Sequence, residues 1–207
     1  MNMDILNIIS VIGCFLGAAL IASYINPSIV MLAYRKRILD NPNVRKLQKS
    51  PVPVIGGISV FMAAMCVLLI FSFFCKDLAV LFFPILCLTV IFFIGLFDDI
   101  MDISFVTKFI FQILVVFCLW FHGIRLDDLG GILGIHHIGI IPSAVLSIIA
   151  GVGLINALNL IDGVDGLSSS LGIYAGLICG VTFLMHGDMP FAIIAFTYAG
   201  ALIPFFV

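Results

Sequence analysis

The sequence predicts an all-α integral membrane protein, a polytopic helix bundle of about seven spans. Hydrophobic residues make up 63% of the 207 residues, charged residues only 10%, and the mean hydropathy is +1.34. A soluble domain needs far more polar surface, so the solvent for most of this chain has to be the lipid bilayer. The net charge is −2, which gives no reason to expect nucleic acid as a partner.

Seven apolar runs have the length of a bilayer span, and each can satisfy its own backbone hydrogen bonds as a helix. They lie at 5–34, 53–75, 78–97, 105–121, 138–158, 167–185 and 190–207. The first run is long and contains Pro27, so we expect it to kink or to end early. We interpret 1–207 as a single transmembrane domain.

The distribution of basic residues predicts the orientation of the bundle. Six of the nine Lys and Arg residues lie in the loop after the first run: Arg35, Lys36, Arg37, Arg45, Lys46 and Lys49. By the positive-inside rule this loop is cytoplasmic, which puts the N-terminus outside. Counting spans from there places the loops at 98–104 and 159–166 on the cytoplasmic side. The segment 122–142 becomes an external hairpin between spans 4 and 5, and we interpret His136 and His137 as ordinary loop residues.

Three carboxylates form a DDxxD pattern at the end of the third run. If the helix continues, Asp98 and Asp102 stack on one face, where like charges repel, and Asp99 points elsewhere. One explanation is a helix end that reaches cytosolic water. The other is a divalent cation with a phosphorylated ligand, and Mg²⁺ suits that role. Lys108 either extends to the membrane interface or neutralises a phosphate.

A second polar stretch follows the fifth run, with side chains repeated every third residue. Its members are Asn156, Asn159, Asp162 and Asp165, with Gly163 and Gly166 between them. Spacing of three keeps side chains near one helical face, and glycines let a ligand approach the backbone. Polar groups at membrane depth are costly, so this stretch indicates a ligand site.

Three stretches carry a family resemblance: "DNPNVRKLQKSPVPVIGG", "GLFDDIMDISFVTKFIFQ" and "NALNLIDGVDGLSSS". The sequence resembles the polyprenyl-phosphate N-acetylhexosamine-1-phosphate transferases. This family includes the undecaprenyl-phosphate GlcNAc-1-phosphate transferases, with the phospho-MurNAc-pentapeptide translocases as more distant relatives. The order and spacing of the three stretches match the family. Their predicted location, all on the cytoplasmic side of the membrane, matches it as well.

The resemblance implies transfer of a sugar-1-phosphate from a UDP-N-acetylhexosamine to polyprenyl phosphate, with UMP as the other product and Mg²⁺ required. Mn²⁺ in place of Mg²⁺ and a homodimer are left open. It implies that Asp98 and Asp99 are catalytic and hold the metal with Asp162. The substrate-binding residues it implies are Arg45, Lys49, Lys108, Asn159, Asp162 and Asp165.

The same resemblance implies a protein of the bacterial inner membrane with its active site on the cytoplasmic side. Its reaction would begin the synthesis of a cell-envelope polysaccharide, such as lipopolysaccharide or a cell-wall polymer. A carboxylate of the Asp98–Asp99 pair either accepts a proton from the lipid phosphate or itself attacks the sugar diphosphate. We favour direct attack by the lipid phosphate, because an acceptor that is already charged needs little activation.

Two departures from the family pattern affect these expectations. Gln48 stands where the family commonly has a His, and the chain stops at "GALIPFFV". Relatives continue into an FxGDxGS-type loop and a His-rich loop, so we expect an N-terminal part with little or no activity by itself.

Two other functions and an inactive fragment or scaffold are the alternatives. A UbiA-type prenyltransferase would share the DDxxD but lacks the "NALNLIDGVDGL" pattern. A transporter would need acids inside its spans, whereas these acids lie in loops on one side.

Overall fold

The computed structural model describes residues 5–40, 51–73, 76–101, 103–161 and 166–205. These residues form seven α-helices, one for each predicted apolar run. They are α1 (Ile5–Lys36), α2 (Gly57–Ser72), α3 (Phe82–Met101), α4 (Phe105–Phe121), α5 (Ile140–Ile161), α6 (Leu167–His186) and α7 (Met189–Leu202). Four of them, α1, α3, α5 and α6, are long and apolar enough to cross a membrane, and the other three are shorter. The all-α prediction is therefore confirmed.

Several predicted boundaries are wrong by a few residues. α1 continues past Pro27 to Lys36, so it does not end early. Its 32 residues correspond to about 48 Å, longer than a hydrocarbon core of about 30 Å. α2 begins at Gly57 instead of 53, because two short strands precede it. β1 (Leu39–Asp40) pairs antiparallel with β2 (Val52–Pro53), and a 3₁₀ turn leads into the helix.

The third helix also departs from the prediction. It extends to Met101, four residues past the expected end at 97, so Asp98 and Asp99 lie on its last turn and not in a loop. Asp102, the third acid of the DDxxD, lies outside the described residues.

The chain divides into two compact units, the first formed by Met1–Phe82 and Asp162–Val207. In this unit α7 is buried by its neighbours, and small residues let the helix backbones approach closely. On α6, Gly176 faces α7 so closely that a Cβ atom there would lie 3.0 Å from the Ala195 carbonyl oxygen. On α7, a Cβ atom at Gly200 would lie 2.1 Å from the carbonyl oxygen of Phe15 on α1.

The second unit, Phe83–Ile161, contains nearly all of α3 and the pair α4 and α5. Val116 of α4 fits against Gly151 of α5, where a Cβ atom would lie 2.8 Å from the valine. Farther along the pair, Trp120 Nε1 donates a hydrogen bond to Ser143 Oγ at 3.0 Å, and both side chains are buried. The two helices therefore pack directly on each other.

The connection between α4 and α5 forms the hairpin that the sequence predicts. Leu129 N donates to His136 O at 2.8 Å, and Ile138 N donates to Asp127 O at 3.0 Å. The exposed His137 side chain lies 3.6 Å from the Asp128 carboxylate. Within the part of the chain that the structure describes, no three His, Cys, Asp or Glu side chains are grouped to hold a metal ion.

Candidate active site

The acidic end of α3 places carboxylates where its own helix disfavours them. Asp98 and Asp99 occupy the last turn, and the C-terminal end of a helix carries a partial negative charge. Asp98 is compensated by Lys108, whose Nζ lies 2.5 Å from Asp98 Oδ2. The side chains are 16% exposed for Lys108 and 22% for Asp98, so solvent screens this ion pair only partly. Asp99 is exposed on the same turn.

The start of α4 brings Lys108 to this position. Ser104 caps the helix, because its Oγ accepts a hydrogen bond from Thr107 N at 3.2 Å. Lys108 N donates to Ser104 O at 3.1 Å, which puts the lysine in the first turn. A cation is unfavourable at this positive end of a helix, so Lys108 and Asp98 both oppose the dipole of their own helix. Pairing with each other offsets both penalties.

A cavity of about 610 Å³ lies along α4 and α5 and has three polar residues in its lining. Its polar lining residues are Lys108 from α4 and Asn156 and Asn159 from α5. The remaining lining is apolar or small: Phe105, Phe109, Ile113, Ile148, Ile149, Val152, Gly153 and Leu160. The structure therefore brings together Lys108 and Asn159, which the sequence predicts for one site from two distant motifs. Asp98 is not among the described lining residues, but its ion pair with Lys108 places it next to the cavity.

A buried polar contact supports the asparagine side of the cavity. Gln112 of α4 is only 2% exposed, and its Oε1 accepts a hydrogen bond from Asn156 Nδ2 at 2.7 Å. The sequence prediction gave Gln112 no role. The available signal was a polar residue one helical turn after Lys108 inside an apolar run.

Several predicted site residues cannot be placed in this geometry. Arg45, Lys49, Asp162 and Asp165 lie outside the described residues, so their roles stay predictions. Of the three predicted metal ligands, the structure describes Asp98 and Asp99. Two neighbouring carboxylates are a donor set that Mg²⁺ accepts, because it commonly binds through one or two carboxylates and completes its shell with waters and phosphate oxygens.

The chain has apolar helices of membrane-spanning length, and a charged pair and two asparagines lie beside a largely apolar cavity. These features define it as a helical membrane protein. The model of glycosyl transferase family 4 matches residues 80–207, and the chain therefore belongs to this family. Two of the three sequence stretches that carry the resemblance, those that begin at Gly95 and Asn156, lie within this match.

Curated relatives agree with this assignment. The chain is similar to proteins named undecaprenyl-phosphate alpha-N-acetylglucosaminyl 1-phosphate transferase. Identity to the Escherichia coli K12 protein is 31% over 181 residues, covering 84% of this chain and 47% of the relative. For the Thermotoga maritima protein it is 30% over 175 residues, covering 83% and 54%. For the Yersinia pestis protein it is 30% over 178 residues, covering 84% and 47%. The chain thus spans about half the length of these relatives.

Proposed function

We propose that the protein transfers N-acetylhexosamine-1-phosphate from a UDP-sugar to undecaprenyl phosphate or a similar polyprenyl phosphate. The products are polyprenyl-diphosphate-sugar and UMP, and the reaction starts synthesis of a cell-envelope polysaccharide. The names of the relatives give the same acceptor and the same kind of transferred group. The observation that carries the proposal is the shared cavity of Lys108 and Asn159, with Asp98 paired to the lysine.

The polar end of the cavity has the chemistry that phosphoryl transfer requires. Such a reaction needs charge neutralisation and alignment more than covalent chemistry by the protein. The ammonium group of Lys108 has three donors, so it can keep its bond to Asp98 while it donates to a phosphate oxygen. Asp98 in turn orients the ammonium group and prevents its extension into bulk water.

The apolar lining suits an isoprenoid chain whose phosphate lies at Lys108. One wall of the cavity consists of aromatic and branched aliphatic side chains that are as apolar as lipid: Phe105, Phe109, Ile113 and Ile149. Because lipid tails are already apolar, this wall contributes shape and orientation more than transfer free energy. We therefore place the first isoprene units along α4 and α5, with the phosphate at the end of the cavity near Lys108.

In the direct route that we favour, an oxygen of the acceptor phosphate forms a bond to the sugar-linked phosphorus of the UDP-sugar. The bond from that phosphorus to the bridging oxygen breaks, and UMP leaves. Asp98 or Asp99 accepts the proton if the acceptor phosphate carries one. Asp98 and Asp99, with Asp162 outside the described residues, would hold Mg²⁺, or Mn²⁺ in its place. A bound metal ion supplies charge neutralisation at the diphosphate.

The arrangement of the second unit also fits the proposed orientation. Three successive helices carry a site residue on the same side of the unit: Asp98 at the end of α3, Lys108 at the start of α4 and Asn159 at the end of α5. Arg35 and Lys36 end α1, as expected for a cytoplasmic loop. We propose that all seven helices span the bacterial inner membrane, with the site on the cytoplasmic face and the hairpin outside.

The test is UMP exchange in membranes that contain the protein expressed from its complete reading frame. With UDP-GlcNAc, Mg²⁺ and undecaprenyl phosphate present, radiolabelled UMP should exchange into UDP-GlcNAc, and Asp98→Asn should abolish the exchange. Asp127→Asn is the matched control, because Asp127 is an ion-paired acid of the hairpin. Absence of exchange in the unmodified protein would refute the transferase proposal. Exchange by the purified protein after its lipids have been removed, with no undecaprenyl phosphate added, would refute the direct route.

A further inference from the structure

The contact between Gln112 and Asn156 links the buried face of α4 to the wall of the cavity. The two residues are 44 positions apart, and the distance between Asn156 Nδ2 and Gln112 Oε1 is 2.7 Å. Gln112 is buried and is not a lining residue of the cavity, whereas Asn156 lines it. Its hydrogen bond to Asn156 therefore connects Gln112 to a ligand in the cavity.

The hydrogen bonds fix which end of the Asn156 amide is available to a ligand. Asn156 Nδ2 also donates to the carbonyl oxygen of Val152 at 2.8 Å. A carbonyl oxygen only accepts, so this contact identifies the NH₂ end of the asparagine. The second NH₂ hydrogen then goes to Gln112 Oε1, and both donors are used within the protein. Among the described residues, none donates a hydrogen bond to Asn156 Oδ1.

We infer that Gln112 is a positioning residue that holds Asn156 with its carboxamide oxygen available to the cavity. This inference rests on the proposed function and deepens it. A carbonyl-type oxygen repels phosphate oxygens and accepts from hydroxyl or amide N–H groups. Asn156 therefore binds a donor on the sugar or the base of the UDP-sugar, while Lys108 binds phosphate. Without Gln112 only the bond to Val152 O holds the amide, so its NH₂ group, which has the wrong polarity for that donor, faces the cavity for more of the time.

The kinetic test separates the two substrates in the full-length protein. Gln112→Leu should raise the KM for UDP-GlcNAc by about 10-fold, which corresponds to loss of one hydrogen bond. The KM for undecaprenyl phosphate should stay within about twofold, because an isoprenoid chain beside Asn156 has no hydrogen-bond donor for its carboxamide oxygen. Gln112→Glu keeps an oxygen that accepts from Asn156 Nδ2, so it should restore a low KM. Equal effects on both substrates, or no effect on either, would overturn the inference.

Ser143→Ala is the matched control, because it removes another hydrogen bond between the same two helices, the one from Trp120. It should lower stability and leave both KM values unchanged. If Ser143→Ala raised the KM for UDP-GlcNAc as much as Gln112→Leu, the effect would belong to the helix pair in general, and the positioning role would be refuted.

A measurement without substrate keeps the inference separate from the proposed reaction. Gln112→Leu and Asn156→Leu should each lower the Tm in detergent, because each leaves one polar partner unpaired in an apolar environment. The double variant should have a higher Tm than either single variant. Additive losses would show that the pair is not coupled, and would overturn the inference even in a protein with full exchange activity. If the unmodified protein shows no exchange, the proposed function fails, while this cycle still tests the pair.

Discussion

Replacing Lys108 by methionine tests the site at its charged centre. Methionine keeps most of the length and apolar body of the side chain and removes the ammonium group. Lys108 is 16% exposed and 2.5 Å from its Asp98 partner, so the lost interaction is not a fully solvated surface pair, which would contribute about 0–1 kcal/mol. Hydrogen bonds to charged groups contribute about 1.5–3 kcal/mol. If Lys108 makes one such bond to phosphate in the transition state, exchange should fall by roughly 10- to 150-fold.

The same substitution should also affect folding through Asp98. The carboxylate would remain at the negative end of α3 without its cation, with a helix-dipole penalty of about 0.3–1 kcal/mol added to the lost pair. Asp98→Asn removes that penalty, so the double variant should unfold at a higher temperature than Lys108→Met alone. This rescue of stability should not restore exchange, because the phosphate would still lack its donor.

The assay is UMP exchange with kcat and KM measured for both substrates, together with thermal unfolding in detergent. Arg125→Met is the control, because it breaks an ion pair of similar geometry in the hairpin, with 2.9 Å between Arg125 Nε and Asp127 Oδ2. That pair is more exposed, 38% for the arginine, and outside the cavity, so exchange should be unchanged. Activity of Lys108→Met within twofold of the unmodified protein would refute the role of Lys108 at phosphate.

Three further predictions address the metal, the second acid and the packing. EDTA should stop exchange, and added Mg²⁺ or Mn²⁺ should restore it; exchange that persists in EDTA would exclude a metal requirement. Asp99→Asn should reduce exchange at least about 100-fold while the protein stays folded at the assay temperature, because the variant loses a carboxylate of the predicted metal site. A loss of folded protein that accounts for the whole effect would contradict this. Gly200→Ala should lower the free energy of unfolding by about 1–3 kcal/mol or more, since the new Cβ would lie 2.1 Å from a backbone oxygen. A Cβ atom at Gly95 would have no atom within 4 Å, so the control Gly95→Ala should have a Tm no lower than that of the unmodified protein.

Hydropathy was sufficient to predict the helices and insufficient to predict their ends. Each of the seven apolar runs became a helix, because a chain of this composition can satisfy its backbone in lipid only within helices or closed barrels. Hydropathy predicts the end of α3 too early, because Asp98 and Asp99 are polar and a polar pair ends an apolar run without ending the helix. The ion pair to Lys108 makes the extra turn acceptable, and it forms only when the next helix folds back.

The contacts that complete the site depend on tertiary structure, and for this reason sequence patterns did not reveal them. Nothing in the run around Gln112 indicates a partner 44 residues away, because α4 and α5 are separated in the chain by the hairpin. Similarly, Leu39 and Val52 show no strand pattern, and their two-residue strands exist only through pairing with each other. The family resemblance did imply Lys108 and Asn159 for one site, and counting spans put the loops beside them on one side of the membrane.

In the second unit, several residues are unfavourable for the helices that carry them, and these residues lie toward one end of the helices. Asp98 and Lys108 each oppose the dipole of the helix that carries them, and Gln112 is a buried amide in a helix of otherwise apolar character. A sequence selected for stability alone would place apolar residues at these positions, because well-packed apolar side chains can replace buried polar pairs without loss. The four residues Asp98, Lys108, Gln112 and Asn156 instead form two linked pairs beside one cavity. Local rules are commonly broken at functional sites, and this clustering is the physical argument for our proposal that the chemistry takes place at this end of α3, α4 and α5.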